Sequence, residues 1–199
     1  NCADSHPIVA RRVIKARENG AKIIVCDPRR IETARIADRH LQLNNGSNMA
    51  LVNAFGYVLL EEELYNKAYV ERYTEGLDAY REAVKDYAPE AVEGIVGVSA
   101  REIREAMRMF AAAPSATIMW GMGVTQFGQA VDVVRGLASL ALLTGANIPS
   151  NLRPVHGPLP APVTTGVKVR KLMLFEGTDA YGRLQTMLGT VNPAAGNPA

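Results

Sequence analysis

The chain has 199 residues, of which 48% are hydrophobic and 21% are charged, and its net charge is +2 at neutral pH. So mild a charge, without a block of Lys and Arg, predicts no nucleic-acid partner, and no apolar run approaches the roughly 20 residues of a membrane-spanning helix. Two cysteines cannot build a disulfide framework, so we predict a reducing, cytoplasmic location.

The first predicted elements form half of a βαβ unit. A helix begins at Pro7, with Asp4 and Ser5 as candidate N-caps, and ends at Asn19-Gly20. An uninterrupted apolar strand follows over Lys22–Cys26. Because its hydrophobic residues do not alternate with polar ones, we predict a strand buried on both faces, as in a parallel sheet.

The next stretch predicts two short elements and then a long helix. A short helix covers residues 31–38 and a short strand covers 40–43. Residues 44–46, Asn-Asn-Gly, are a turn. Ser47 or Asn48 then caps a long apolar helix.

Residues 61–113 are predicted to be a mostly helical insertion. Helices cover residues 61–73, 77–87 and 89–95, and the pair Ser99 and Glu102 forms a capping box that opens a further helix. That helix stops before Pro114.

The last predicted elements of this unit repeat the strand, loop and helix order. A second buried strand, Ala116–Trp120, leads into a glycine-bearing loop at residues 121–126, and a helix over Ala130–Thr144 ends at Gly145. Together these elements predict one α/β unit with a parallel sheet over residues 1–145. Helical periodicity then disappears, so we place a boundary at 146–150 before an irregular, proline-rich tail with one strand at 167–175.

The loop at residues 27–30 places a carboxylate and two guanidinium groups at the end of a buried strand. Ligands of open α/β sheets bind outside the carboxyl ends of the strands. In one interpretation Asp27 accepts hydrogen bonds from a ribose or a base edge, while Arg29 and Arg30 face phosphate. In the other, Asp27 caps the next helix and the arginines are solvated. NAD is a poor candidate because the chain has no Gly-x-Gly-x-x-Gly turn.

The loop at residues 121–126 allows two similar interpretations. Its glycines permit close approach of a ligand to the backbone, and Gln126 can donate and accept hydrogen bonds. Alternatively, it is a plain strand-to-helix turn in which Met122 packs. We expect Trp120 to be a core residue and Cys26 to be an inert buried thiol, and the dispersed histidines show no metal-ligand spacing.

Four motifs resemble the molybdopterin oxidoreductase family, and within it the catalytic subunits of bacterial formate dehydrogenases. They are residues 1–7 (NCADSHP), 25–30 (VCDPRR), 33–38 (TARIAD) and 120–126 (WGMGVTQ). The resemblance covers residues 1 to about 145. It implies a Rossmann-like α/β domain that holds one arm of bis-molybdopterin guanine dinucleotide, with molybdenum or tungsten as its metal.

The resemblance also implies which residues contact the cofactor. The N-terminal segment would line it at a helix N-terminus, the strand-end loop would contact the guanosine, and two further loops would approach it. The residues so assigned are Asn1, Asp4, Ser5, His6, Cys26, Asp27, Arg29, Arg30, Gly46, Ser47, Asn48, Gly121, Met122 and Gln126.

The resemblance assigns no catalytic or metal-ligating residue to this chain. The family's 4Fe-4S ligands and its molybdenum ligand have no counterpart here, and Thr144-Gly145 is not followed by the family's Arg-Gly-Gln-Asn-Asn stretch. We therefore expect a cofactor-binding portion of an enzyme that oxidises formate to CO2, with electron-transfer or hydrogenase subunits as partners, and we expect the portion alone to be inactive.

Two alternatives remain open at this point. The unit could be a non-catalytic scaffold or interaction domain that retains the fold. The tail from residue 148 resembles an inter-domain segment of spore-coat-type multicopper oxidases, although it has no His-x-His pair. In that case the chain would be a composite of two unrelated proteins.

Overall fold

The computed structural model describes residues 1–145 and 171–175. Four strands form one sheet in the order β2-β1-β4-β3, and all of them are parallel. The strands are β1 (Lys22–Cys26), β2 (Arg39–Leu41), β3 (Ala116–Trp120) and β4 (Lys171–Phe175). The helices are α1 (Cys2–Ser5), α2 (Pro7–Glu18), α3 (Glu32–Arg35), α4 (Asn48–Glu61), α5 (Lys67–Tyr73), α6 (Leu77–Val84), α7 (Pro89–Val96), α8 (Ala100–Ala111), α9 (Met122–Thr125) and α10 (Ala130–Thr144).

Strand β1 is buried on both faces, as its unbroken apolar sequence predicts. Ile24 and Cys26 belong to the large core around α4, whereas Ile23 and Val25 pack in a second cluster with Val13 of α2. Because successive strand residues point to opposite faces, helices cover the sheet on both sides. The prediction of an α/β unit with a parallel sheet is confirmed at this level.

Strand β4 lies between β1 and β3 and pairs with both. Lys171 is in register with Lys22 on one side and with Ala116 on the other, and Phe175 is in register with Cys26 and Trp120. The predicted strand at 167–175 is thus found over its last five residues. The rest of the predicted tail, including the segment that resembles multicopper oxidases, lies outside the described residues, and the boundary at 146–150 stays a prediction.

Several predicted local features differ from the structure. The helix predicted at 31–38 covers only Glu32–Arg35, and the strand predicted at 40–43 is found at Arg39–Leu41. Asp4 and Ser5 do not cap α2; they lie in α1, which Asn1 caps by accepting a hydrogen bond from the Ala3 N–H at 3.1 Å. The helix predicted at 61–73 is interrupted, because α4 ends at Glu61 and Glu63 adopts a φ of 52° before α5 begins. The loop predicted at 121–126 contains the short helix α9.

Helix α4 is the centre of the core, and α10 crosses it at a glycine. A Cβ atom added to Gly136 would lie 2.6 Å from Cγ1 of Val52, whereas one added to the exposed Gly94 of α7 would meet nothing within 4 Å. Val52 is fully buried, so it has no room to move aside. The glycine therefore permits the two helices to approach closely.

We expect Gly136→Val to lower the free energy of unfolding by about 1–3 kcal/mol through overpacking. The same substitution at Gly94 should change it by less than about 0.5 kcal/mol, since both residues are poor helix formers and the site is open. Urea unfolding of the two variants measures the difference. Equal effects at both positions would contradict the close approach of α10 and α4.

An ion-pair cluster ties the end of α4 to α7 and α8. Arg108 Nε donates to Glu62 Oε2 at 2.6 Å and Arg104 Nη1 donates to Glu62 Oε1 at 3.0 Å, while Arg104 Nε reaches Glu90 Oε1 at 2.8 Å. The Arg108 guanidinium, helped by Arg104, holds the pKa of Glu62 below its usual range. Glu62 is 19% exposed, so solvent screens these pairs only in part.

A lowered pKa in the folded state stabilises the fold above the unfolded pKa of about 4.3, and the contribution disappears as the pH falls through the folded pKa. We expect the stability advantage of the wild type over Glu62→Gln to be largest near pH 7 and to shrink between about pH 5 and pH 3. Urea titrations at each pH measure it. Glu63→Gln is the comparison, because among the described residues Glu63 pairs with the exposed Lys67. That contact also holds the pKa of Glu63 below its usual range, but solvent screens it, so we expect a pH-dependent difference of the same sign and clearly smaller than for Glu62.

No helix in residues 1–145 is both long and apolar enough to cross a membrane.

Candidate functional site

Three loops meet at the carboxyl edge of the sheet. They follow β1, β2 and β3, and because the strands are parallel the loops lie at the same edge. Between them is a cleft of about 390 Å³. It is lined by Asp27, Pro28, Arg29, Asn44, Asn45, Gly46, Asn48, Met122, Gly123, Gln126 and Phe127.

The carboxylate of Asp27 is the most unusual group in this cleft. The residue is only 1% exposed. Its Oδ1 accepts a hydrogen bond from the backbone N–H of Arg29 at 2.7 Å, and Arg29 Nε lies 3.7 Å from the same atom. Its Oδ2 is buried without a hydrogen-bond partner among the described residues. Leaving a buried charged oxygen unpaired is costly, so the position favours a donor that a ligand supplies.

Asn44 anchors the loop after β2 to the end of α7. The backbone N–H of Asn44 donates to Val96 O at 2.7 Å and its Nδ2 donates to Ile95 O at 3.1 Å, both at the end of α7. Gly46 has a φ of +84°, a conformation that L side chains rarely adopt. The loop therefore presents its exposed tip, Asn45 and Gly46, to the cleft.

Ser47 and Asn48 act differently from the helix-cap role that the sequence predicts. Ser47 is the N-cap residue of α4, but its hydroxyl donates to Asn44 O at 2.7 Å rather than accepting from the helix. Asn48 Nδ2 donates to Gly123 O at 3.2 Å. That bond joins the loop after β2 to the loop after β3, so two walls of the cleft are held together.

The loop after β3 supplies the apolar wall. Met122 begins α9, Gln126 follows it, and Phe127 is 41% exposed beside them. Aromatic and thioether side chains at a cleft offer flat and adaptable surfaces to a ring system. Trp120 is buried in the core as predicted.

The predicted contact residues fall into three groups. Asp27, Arg29, Gly46, Asn48, Met122 and Gln126 line the cleft together, while Cys26, Arg30, Ser47 and Gly121 are chain neighbours of lining residues but do not line it. The N-terminal residues Asn1, Asp4, Ser5 and His6 do not line it either. Whether any of these residues contacts a cofactor stays a prediction.

The predicted contact residues leave out five residues of the lining, which are Pro28, Asn44, Asn45, Gly123 and Phe127. The turn at 44–46 was visible, and the carboxyl-edge rule applied to the strand before it would have added Asn44 and Asn45. Phe127 carried no such signal, because an isolated phenylalanine after a turn is usually a packing residue.

The thiol of Cys26 is chemically quiet. It is 2% exposed at the end of β1, and burial, together with the adjacent Asp27 carboxylate, raises its pKa far above the usual range. A protonated, buried thiol is neither a nucleophile nor a ready metal ligand. Among the described residues no group of three or more His, Cys, Asp or Glu side chains could hold a metal ion.

Comparisons with known proteins point to one family. The sequence model described as "Molybdopterin oxidoreductase" matches residues 1–158. Formate dehydrogenase H of Escherichia coli (strain K12) is 66% identical over 145 residues, which are 73% of this chain and 20% of that protein. The F420-dependent formate dehydrogenase subunit alpha of Methanocaldococcus jannaschii is 43% identical over 145 residues, 73% of this chain and 22% of that protein.

A solved structure agrees with these sequence matches. Acetylene hydratase from Pelobacter acetylenicus superimposes with a TM-score of 0.65 at 34% identity, over 67% of this chain and 18% of that one. The chain thus spans about a fifth of the length of the curated relatives it matches.

Proposed function

Because this chain belongs to the molybdopterin oxidoreductase family, we propose that its cleft holds the guanosine end of a molybdopterin guanine dinucleotide. Membership implies an oxidoreductase with a molybdopterin cofactor. The guanine dinucleotide form, the bis-molybdopterin arrangement and the choice of molybdenum or tungsten are our proposals.

The observation that carries this proposal is Oδ2 of Asp27, which is buried without a hydrogen-bond partner among the described residues. Guanine presents N–H donors on one edge and ribose presents hydroxyl donors, and a carboxylate only accepts hydrogen bonds. Asp27 lines the cleft, and its buried Oδ2, which has no partner among the described residues, has the chemistry that either edge requires. Oδ1 is already held by the backbone of Arg29, which fixes the carboxylate before any ligand arrives.

The remaining lining suits the rest of such a molecule. Arg29 is exposed beside Asp27, and a guanidinium matches phosphate oxygens in a bidentate geometry. Gly46 and Gly123 have no side chain to keep a ligand from the backbone. Met122 and Phe127 offer apolar faces to a ring. We propose that four chain neighbours of the lining residues support the site without lining it: Cys26, Arg30, Ser47 and Gly121.

For the complete enzyme we propose the oxidation of formate to CO2, on the grounds of the two formate dehydrogenase relatives. When bound, the cofactor supplies the two-electron chemistry, in which formate loses two electrons and a proton. This chain's residues would bind and orient the nucleotide end. A 4Fe-4S cluster would carry the electrons onward, and the two cysteines of this chain cannot supply the four thiolate ligands that such a cluster takes.

Several further assignments complete the proposal. The unit at 1–145 is a Rossmann-like dinucleotide-binding domain, and Asn1, Asp4, Ser5 and His6 approach the cofactor from a second side. The enzyme is cytoplasmic and delivers electrons to electron-transfer or hydrogenase subunits. The parallel sheet with helices on both faces supports the first of these statements, and the formate dehydrogenase relatives support the others.

A chimera tests the proposed function. Residues 1–145 of this chain replace the matching 145 residues of the Escherichia coli formate dehydrogenase H, to which they are 66% identical. We expect the purified chimera to contain molybdenum, measured by mass spectrometry, and to oxidise formate. A folded chimera that lacks molybdenum would contradict cofactor binding. One that contains the metal but does not oxidise formate would contradict the substrate assignment.

A further inference from the structure

Three hydrogen bonds tie the turn that carries Asp27 to β2 and to the residue that follows β2. The backbone N–H of Asp27 donates to Leu41 O at 3.3 Å. His40 Nε2 lies 2.9 Å from Asp27 O, and Gln42 Nε2 donates to Pro28 O at 3.0 Å. A carbonyl oxygen can only accept, so Nε2 of His40 carries the proton in this bond.

The alternation of β2 and its extension explains this arrangement. Residues two apart on an extended segment point to the same side, so His40 and Gln42 reach the turn together. Leu41 and Leu43 are buried in the core and point the other way. One short segment thus anchors itself in the core with its leucines and holds the neighbouring turn with its polar side chains.

Neither polar side chain lines the cleft, so their action would be indirect. Each fixes a carbonyl of the Asp27-Pro28 peptide pair, and with it the orientation of the backbone that carries the carboxylate. The carboxylate is then held by Arg29 N–H at 2.7 Å. Without the two carbonyl bonds, the hydrogen bonds that remain to the turn from the described residues are the backbone bond to Leu41, this internal contact, and the bond from Ile31 N–H to Arg29 O at 2.9 Å.

We propose that His40 and Gln42 are positioning residues that preorganise the Asp27 turn for its ligand. Preorganisation raises affinity because the ordering cost is met before binding. The inference rests on the proposed function of the cleft, since positioning has a purpose only if Asp27 contacts a ligand.

Hydrogen exchange and GDP calorimetry on the 199-residue chain test it. In the double variant His40→Leu/Gln42→Met, we expect the Arg29 amide to exchange at least about fivefold faster and the affinity for GDP to fall at least about fivefold. Both are the effect of losing one or two ordinary hydrogen bonds. His40→Gln keeps an N–H donor, so it should recover part of the protection of the Arg29 amide and part of the affinity for GDP. Arg39→Gln is the control, because Arg39 pairs with Glu105 of α8 instead, and it should change neither.

Two outcomes would overturn the positioning role. One is unchanged exchange at Arg29 in the double variant. The other is faster exchange throughout the core of α4 and α8 by the same factor, which indicates only general loosening. If the wild-type chain does not bind GDP, the proposed function fails, and the exchange at Arg29 still decides whether the two side chains hold the turn.

Discussion

Asp27→Asn is expected to weaken GDP binding by roughly 10- to 100-fold without lowering the stability of the free protein. The substitution keeps an oxygen that can accept from the Arg29 N–H but places an NH2 group where the free Oδ2 was. A hydrogen bond to a charged group contributes about 1.5–3 kcal/mol, and each 1.4 kcal/mol is a tenfold change in affinity. A donor that faces the donors of the ligand adds repulsion.

Stability should respond in the opposite sense to affinity. In the free protein the Asp27 carboxylate is buried, and none of the described residues bonds one of its oxygens, which is an unfavourable arrangement that a neutral amide relieves. Groups kept for binding often cost stability in this way. Calorimetric titration with GDP and urea unfolding, done on the same preparations, measure the two quantities.

Asp38→Asn is the matched control. Asp38 also lies at the sheet, but its two oxygens are satisfied, by Lys22 Nζ at 2.8 Å and by the Ile23 N–H at 2.9 Å, and it does not line the cleft. We expect this variant to lose about 1 kcal/mol of stability and to bind GDP like the wild type. If Asp27→Asn unfolds more easily and binds GDP unchanged, Asp27 is a structural residue and its assignment to the ligand is wrong.

Removal of residues 146–199 is expected to abolish cooperative folding. The deletion takes away β4, which pairs over five residues with β1 and with β3, so both of those strands lose a neighbour in the middle of the sheet. At about 1 kcal/mol for each backbone hydrogen bond, the loss is on the order of 5–10 kcal/mol, which is comparable to the whole stability of a domain.

Circular dichroism during urea unfolding measures this effect. The shortened chain should lose its sigmoidal transition, whereas a chain that ends at residue 180 and retains β4 should keep it. An unchanged midpoint in the shorter chain would show that the sheet does not depend on β4. That result would support the predicted boundary at 146–150 and the interpretation of the tail as a separate segment.

Local features of the fold were predictable where the signal is local. The bounds of β1, β3 and α10 agree with the prediction, because each is an apolar run closed by a glycine or a charged turn. The capping box of Ser99 and Glu102 forms as expected. By contrast, the end of α4 was missed, because Glu61 and Glu62 are good helix formers. There the chain turns where Glu62 meets Arg104 and Arg108 of α8, a tertiary contact that no local pattern shows.

Some residues of the site could likewise be predicted from a local sequence signal, whereas others depend on the tertiary structure. Asp27 could be selected because a carboxylate that follows a buried strand is visible in the sequence. That Met122 and Phe127 share its cleft depends on the strand order, in which β4 lies between β1 and β3. Strand order depends on contacts far apart in the chain, so residue spacing alone could not provide it. The orphaned Oδ2, on which the functional proposal depends, is likewise a property of the folded state.

The central claim is that the cleft at the carboxyl edge binds a guanine nucleotide, and an NMR titration of the ¹⁵N-labelled 199-residue chain with GDP tests it most directly. We predict saturable amide shifts confined to residues 27, 29, 45–48 and 122–127. The contradicting result is the absence of shifts there, or shifts centred instead on the second cleft at the other end of β1, around Arg17, Lys22 and Asp38.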